Sequence, residues 1–123
     1  MSQKIEKQNN RLTLFEGAEI RRVWRDEKWY FSVVDVVAAL TGSVKPRDYW
    51  YRVKRRMNKE EYAELSTICR QLKMKSGDGK KYNTDVADTA GVLRIIQSIP
   101  SKKAEPFKLW LAKVGKERID ESG

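Results

Sequence analysis

The sequence predicts a single α+β domain: a small amino-terminal antiparallel sheet plus a β-hairpin, packed with about four to five helices. Three observations lead there. Short alternating apolar and polar runs separated by turn formers precede position 32, and an apolar stripe at helical spacing follows at once. A second alternating stretch, wrapped around a Gly-Asp-Gly turn, then interrupts the later helical pattern. With 123 residues, 40% of them hydrophobic, and four Trp, five Tyr and three Phe, the chain can build one core and not two.

Taken in order, residues 1–11 carry no apolar periodicity and read as a disordered leader to a domain at 12–118. Strands are expected at Leu12–Phe15, from Ile20 to Arg25, and at Lys28–Phe31, with turns at Glu16-Gly17 and Asp26-Glu27. The first helix is the clearest local feature: Val33, Val36, Val37 and Leu40 share a face between an N-cap, Ser32, and a stop, Gly42. Asp35, at its third position, is expected to return a bond to the cap and to favour the helix dipole.

A second helix is expected from Pro46, which suits a first helical turn, to Met57. Trp50, Val53 and Met57 fall on one face, with Tyr51, Arg52, Lys54 and Arg55 over the other. Asn58 and Glu61 form a capping pair for a third helix, which turns Tyr62, Leu65 and Ile68 inward and runs into Cys69, read as a small buried hydrophobe. Leu72 and Met74 alternate into a hairpin that turns through Ser76-Gly77-Asp78-Gly79 and returns along Lys80–Asn83. A fourth helix starts at Thr84 or Thr89, buries Val92, Ile95, Ile96 and Ile99, and stops at Pro100; Gly91 weakens its first turn. The last helix carries Phe107, Trp110, Leu111 and Val114, with Pro106 near its start and Gly115 at its end. Residues 116–123 read as a fraying tail, 119–123 as the start of a linker.

Charge is the strongest functional signal. Lys and Arg number 26 against 17 Asp and Glu, a net charge of +9. Residues 45–57 hold Lys45, Arg47, Arg52, Lys54, Arg55 and Arg56 against Asp48, and residues 70–81 hold Arg70, Lys73, Lys75, Lys80 and Lys81 against Asp78. Those two segments account for the whole surplus, so a polyanionic partner is expected where they lie. The expected DNA-contact set is Arg47, Tyr51, Arg52, Lys54 and Arg55 on the helix and Lys73, Lys75, Lys80 and Lys81 on the hairpin. Tyr49 and Tyr51 are placed to stack on a base or bond a phosphate, and Trp50 to anchor the core. Set against this are a merely solvated helix face and a protein-interaction module docking on an acidic partner.

Catalytic signals are sparse. The absence of His removes imidazole acid–base chemistry and Ser-His or Cys-His pairs, and one Cys excludes an intrachain disulfide and fits a reducing compartment. Gly77-Asp78-Gly79-Lys80 lacks phosphate-loop spacing and reads as a turn. Asp85 and Asp88, three apart, have no third ligand nearby and read as first-turn charges. No catalytic set, metal or cofactor is expected, and the chain is not read as an enzyme. No run approaches the ~18 apolar residues of a membrane span, and no signal-peptide core follows the polar start, so a cytoplasmic protein with no membrane partner is expected.

The run Trp29-Tyr30-Phe31-Ser32-Val33-Val34-Asp35-Val36-Val37-Ala38-Ala39-Leu40 resembles the opening of the Bro-N domain, found at the amino end of phage antirepressors and baculovirus BRO proteins. The resemblance continues in order through Arg47-Asp48-Tyr49-Trp50, Leu72-Lys73-Met74, and Asp78-Gly79-Lys80-Lys81-Tyr82-Asn83-Thr84-Asp85-Val86-Ala87-Asp88-Thr89. It extends through Arg94-Ile95-Ile96-Gln97-Ser98-Ile99-Pro100-Ser101 and Lys103-Ala104-Glu105-Pro106-Phe107-Lys108 to Trp110-Leu111-Ala112. It implies an α+β DNA-binding domain of a prophage-encoded, antirepressor-like transcription regulator in a bacterial cell, joined in many members to a variable carboxy-terminal effector region. Double-stranded DNA is the expected partner, with a phage repressor protein and a second copy of the chain as further candidates. The competing reading is a module that inactivates a repressor by direct contact without binding DNA.

Overall fold

The computed structural model describes residues 10–117. Strands β1 (Asn10–Phe15), β2 (Ala18–Arg25) and β3 (Lys28–Ser32) lead into helices α1 (Val33–Thr41), α2 (Pro46–Arg56) and α3 (Lys59–Ile68). Strands β4 (Cys69–Lys75) and β5 (Lys81–Ala87) and helices α4 (Thr89–Gln97) and α5 (Ala104–Val114) follow. The fold is the expected α+β domain, with its five strands in one antiparallel sheet of order β1-β2-β3-β5-β4. The hairpin is therefore not separate from the amino-terminal strands. It joins them through two residue pairs, Phe31 with Ala87 and Ser32 with Val86.

The turns follow local backbone chemistry. Glu16 and Gly17, and Asp26 and Glu27, all adopt positive φ, the conformation a two-residue hairpin needs to match strand twist. Helix α1 begins where the Ser32 hydroxyl accepts from Asp35 N and ends on Gly42 at φ 69°. Helix α3 begins with a complete capping box, Asn58 Oδ1 accepting from Glu61 N while Asn58 N donates to Glu61 Oε1.

The main core lies on the helix-covered face of the sheet. Phe15, Ile20, Trp29 and Phe31 pack there against Val33, Val36, Val37 and Leu40 of α1, Trp50 of α2, and the α4 and α5 residues Val92, Ile95, Ile96, Phe107 and Leu111. Phe15, Phe107 and Trp110 meet edge-on or tilted, with ring centroids 4.8–5.6 Å apart. A smaller cluster of Val23, Leu72, Met74 and Val86, with Tyr30 against it, occupies the opposite face. Three strand steps separate β2 from β4, about 14 Å in a flat sheet. Yet Arg21 Nη1 donates to the Lys75 carbonyl at 3.2 Å. The sheet is therefore curled, closing the hairpin over the strands it follows.

Several expectations need correction. Asn10 and Arg11 pair with Val23 and Arg22 in β1 rather than belonging to a leader; positions 1–9 lie outside the described residues. Tyr62 is 52% exposed, because α3 buries little besides Leu65. Cys69 caps the end of α3 and starts β4, only half-buried, and Thr84 lies in β5, so the fourth helix takes the Thr89 start, capped by Asp88. Asp35 does not return a bond to its cap. Its carboxylate takes Arg21 N at 2.9 Å, Arg21 Nε at 2.8 Å and Arg21 Nη2 at 3.1 Å, tying α1 to β2. Glu117 is held at the end of α5, its carbonyl accepting from Trp29 Nε1 at 2.8 Å and its carboxylate meeting Arg22 at 2.7 Å, so that position is not a fraying tail. Positions 118–123 lie outside the described residues.

Candidate functional site

Register sorts the β4–β5 side chains onto two faces, because cross-strand partners share a side and successive residues alternate. Cys69, Gln71, Lys73 and Lys75 share one face with Ala87, Asp85, Asn83 and Lys81; Arg70, Leu72 and Met74 share the other with Val86, Thr84 and Tyr82. The first of these is the face that carries α2. Asp85 Oδ2 accepts from Trp50 Nε1 at 3.0 Å and Lys54 Nζ at 3.2 Å, and Asp85 Oδ1 accepts from Gln71 Nε2 at 3.2 Å. One carboxylate thus fixes α2 against both strands of the hairpin. Burial works to raise the Asp85 pKa, but the bonds from Trp50 and Gln71 and the charge of Lys54 outweigh it and hold it below the usual value.

Helical geometry then places the rest of α2. Trp50 is 3% exposed, as a core anchor should be. At about 100° per residue, Arg47, Tyr51 and Arg55 line the flank next to Lys54 and the hairpin, and Arg52 points directly away from Trp50. The Tyr82 phenol is raised chiefly by donating to Asp78 and then by desolvation, with the Arg47 charge pulling it down. Tyr51 is 58% exposed, with the Arg55 guanidinium 5.7 Å from its ring centroid, whereas Tyr49 is half-buried against the core. At the hairpin tip, Asp78 accepts from Lys80 N at 2.8 Å and from the Tyr82 hydroxyl, which fixes the turn between the two lysine-bearing strands.

Helical phase and strand register thus put Arg47, Tyr51 and Arg55 of α2 and Lys73, Lys75 and Lys81 of the hairpin on the helix-bearing side of the domain, with Lys80 at the tip and Arg52 on the outer surface of α2. Two cations counted in the basic segments stand apart. Lys54 is ion-paired to Asp85 and lies over the Trp50 ring, so it works inside the protein, and Arg70 projects from the opposite face to Asp26 and the Tyr30 ring. Sequence reasoning passed over Asn83, which stands opposite Lys73 on the cationic face; its one signal was its place in an alternating run between Lys81 and Asp85.

Carboxylate pairing is uneven over the surface, and among the described residues Arg25, Lys45, Lys59, Lys102, Lys113 and Lys116, outside the expected contact set, also meet no carboxylate. Arg21, Arg22, Lys28, Arg70, Arg94, Lys103 and Lys108 each meet a carboxylate. Among the described residues, Arg47, Arg52, Arg55, Arg56, Lys73, Lys75, Lys80 and Lys81 meet none, and Lys54 alone of the expected contact set is paired. Lys75 and Lys81 stand directly opposite one another, an arrangement that destabilises a sheet on its own. Cys69 lies at the base of the site next to Asp85. Burial pushes its thiol up to about 12, the Asp85 charge adds to this and Lys54 opposes it, which makes it an inert thiol at neutral pH. Among the described residues no group of three or more His, Cys, Asp or Glu is placed to hold a metal ion, and no helix is long and apolar enough to cross a membrane.

Fold and site together define a small α+β domain that carries a run of cations without carboxylate partners along one helix and hairpin. The chain belongs to the BRO family, as its N-terminal domain (Bro-N), whose family model matches residues 19–117. That makes it a phage-type regulatory domain. No curated protein and no solved structure matches the chain.

Proposed function

We propose that this domain binds double-stranded DNA as part of an antirepressor-like transcription regulator, through the flank and outer surface of α2 and the helix-side face of the β4–β5 hairpin. The supporting observation is the run of cations without carboxylate partners on that face, all but one of those in the expected contact set, culminating in Lys75 directly opposite Lys81. Like charges held this close repel until an anion lies between them. A phosphate backbone supplies such anions at regular spacing and releases its condensed counterions in exchange. Arginine forks on α2 suit bidentate phosphate contact, and hairpin lysines act as point charges. Tyr51, exposed between Arg47 and Arg55, offers a hydroxyl to phosphate or a ring to an unstacked base.

Fluorescence anisotropy with a labelled duplex at several salt concentrations tests this. About 4–6 phosphate contacts give a log–log slope of roughly −4 to −5. A flat response, or no binding at low salt, refutes DNA binding; capture of a repressor protein by the same face under those conditions establishes the protein-docking alternative instead.

A further inference from the structure

We infer that Asn83 reads a base edge from the major groove, with the hairpin laid face-down along it; this rests on the DNA-binding reading above. The β5 strand pairs with β3 only at Val86 and Ala87, so residues 81–85 pair with β4 alone and form a two-stranded ribbon. The major groove of B-form DNA, about 12 Å wide, admits a ribbon of that kind. One ribbon face is already covered, with Leu72 and Met74 packed against Val23, so the other meets the ligand. Gln71 at its base donates to Asp85, which in turn accepts from Trp50 and Lys54 of α2.

Beyond them the open face holds Lys73, Lys75, Lys81 and Asn83. The lysines are donors without an acceptor and suit phosphate, which positions a protein without reading sequence. Asn83 carries a donor and an acceptor in one planar group, is exposed, and has no side-chain partner among the described residues. A carboxamide of that kind matches the N6 donor and N7 acceptor that adenine displays in the major groove. Lys73 directly opposite and Lys81 two residues away hold the neighbouring backbone, which brings the amide to the base edges between them.

The test starts by selecting duplexes from a random-sequence library with the wild-type domain and measuring the preferred duplex against a scrambled one for wild type and Asn83→Ala. Each adenine of the preferred site is then replaced in turn by 7-deazaadenine, which lacks the N7 acceptor. The expected result is a preference lowered roughly 5- to 150-fold in the variant, the worth of one bidentate base contact. Scrambled-duplex affinity, salt slope and melting temperature stay unchanged. One 7-deazaadenine position lowers wild-type binding and leaves Asn83→Ala unaffected. Full preference in the variant, or equal sensitivity of both proteins at every position, overturns the assignment. Binding without any sequence preference also overturns it and leaves the DNA reading intact, whereas a wild-type domain that retains no duplex removes both.

Discussion

The Trp50 indole donates to the Asp85 carboxylate at 3.0 Å, joining the buried side of α2 to the β5 strand. Through that bond the residue that anchors the helix in the core also sets the distance between its arginines and the hairpin lysines.

Trp50→Ala removes a large buried ring and a donor, and is expected to destabilise the fold by about 3–5 kcal/mol. Trp50→Phe retains most of the apolar contact and loses the bond, about 1–2 kcal/mol. Urea denaturation of both variants separates the two contributions.

Asp85 gives the site a pH dependence of defined sign. Its folded pKa lies below the unfolded value near 3.8, so its stabilising contribution is fully present above about pH 4 and is lost as pH falls through the folded value. Asp85→Asn leaves Lys54 without its counter-charge and is expected to lower stability at pH 7 by about 1–2 kcal/mol, a modest figure because the group is partly solvated. The gap between variant and parent narrows as pH falls through the folded value. Thermal melts from pH 7 to pH 2.5 measure both.

Lys54 and its helical neighbours respond differently to loss of charge. Lys54→Gln breaks the pair with Asp85 and lowers the melting temperature. Arg52→Gln with Arg55→Gln leaves the melting temperature within error, weakens binding to all duplexes alike, and flattens the salt slope by about 2 units. Melting curves and salt titrations of the two proteins distinguish an internal cation from contact cations.

Relief of the Lys75–Lys81 repulsion is expected to stabilise the isolated domain while harming its binding. Lys81→Gln keeps the aliphatic stem and raises stability by roughly 0.2–1 kcal/mol, and lowers duplex affinity with a slope change of about 0.9. Unchanged stability in urea together with unchanged affinity would show that the pair carries no strain and meets no phosphate.

Gly91→Ala improves helix propensity by about 1 kcal/mol and is nevertheless expected to destabilise. A Cβ there would lie 2.9 Å from Ala87 Cβ and 2.9 Å from the Ile68 carbonyl, where α4 passes close over the start of β4 and the end of β5. Crowding of this kind costs about 1–3 kcal/mol, which exceeds the propensity gain. Equilibrium unfolding decides the sign.

Much of this protein is local and was therefore legible from the residues alone. The α1 stripe and its Ser32 cap, the Asn58–Glu61 capping box, the Gly79 turn and the burial of Trp50 each depend on neighbours within a few positions, where side-chain spacing and backbone preference act directly. The concentration of charge in two segments is likewise a property of the chain. What only the tertiary structure decided is which of those charges stand together. Lys54 turned inward because Asp85, 31 residues away, lies beneath it, and Asp35 went to Arg21 instead of its own cap because β2 passes within reach. Arg70 fell on the wrong face because strand register, set by long-range pairing, divides a run of basic residues in two. Attraction between charges depends on distance in space, and sequence separation carries no information about that distance once the sheet curls and α2 docks across it.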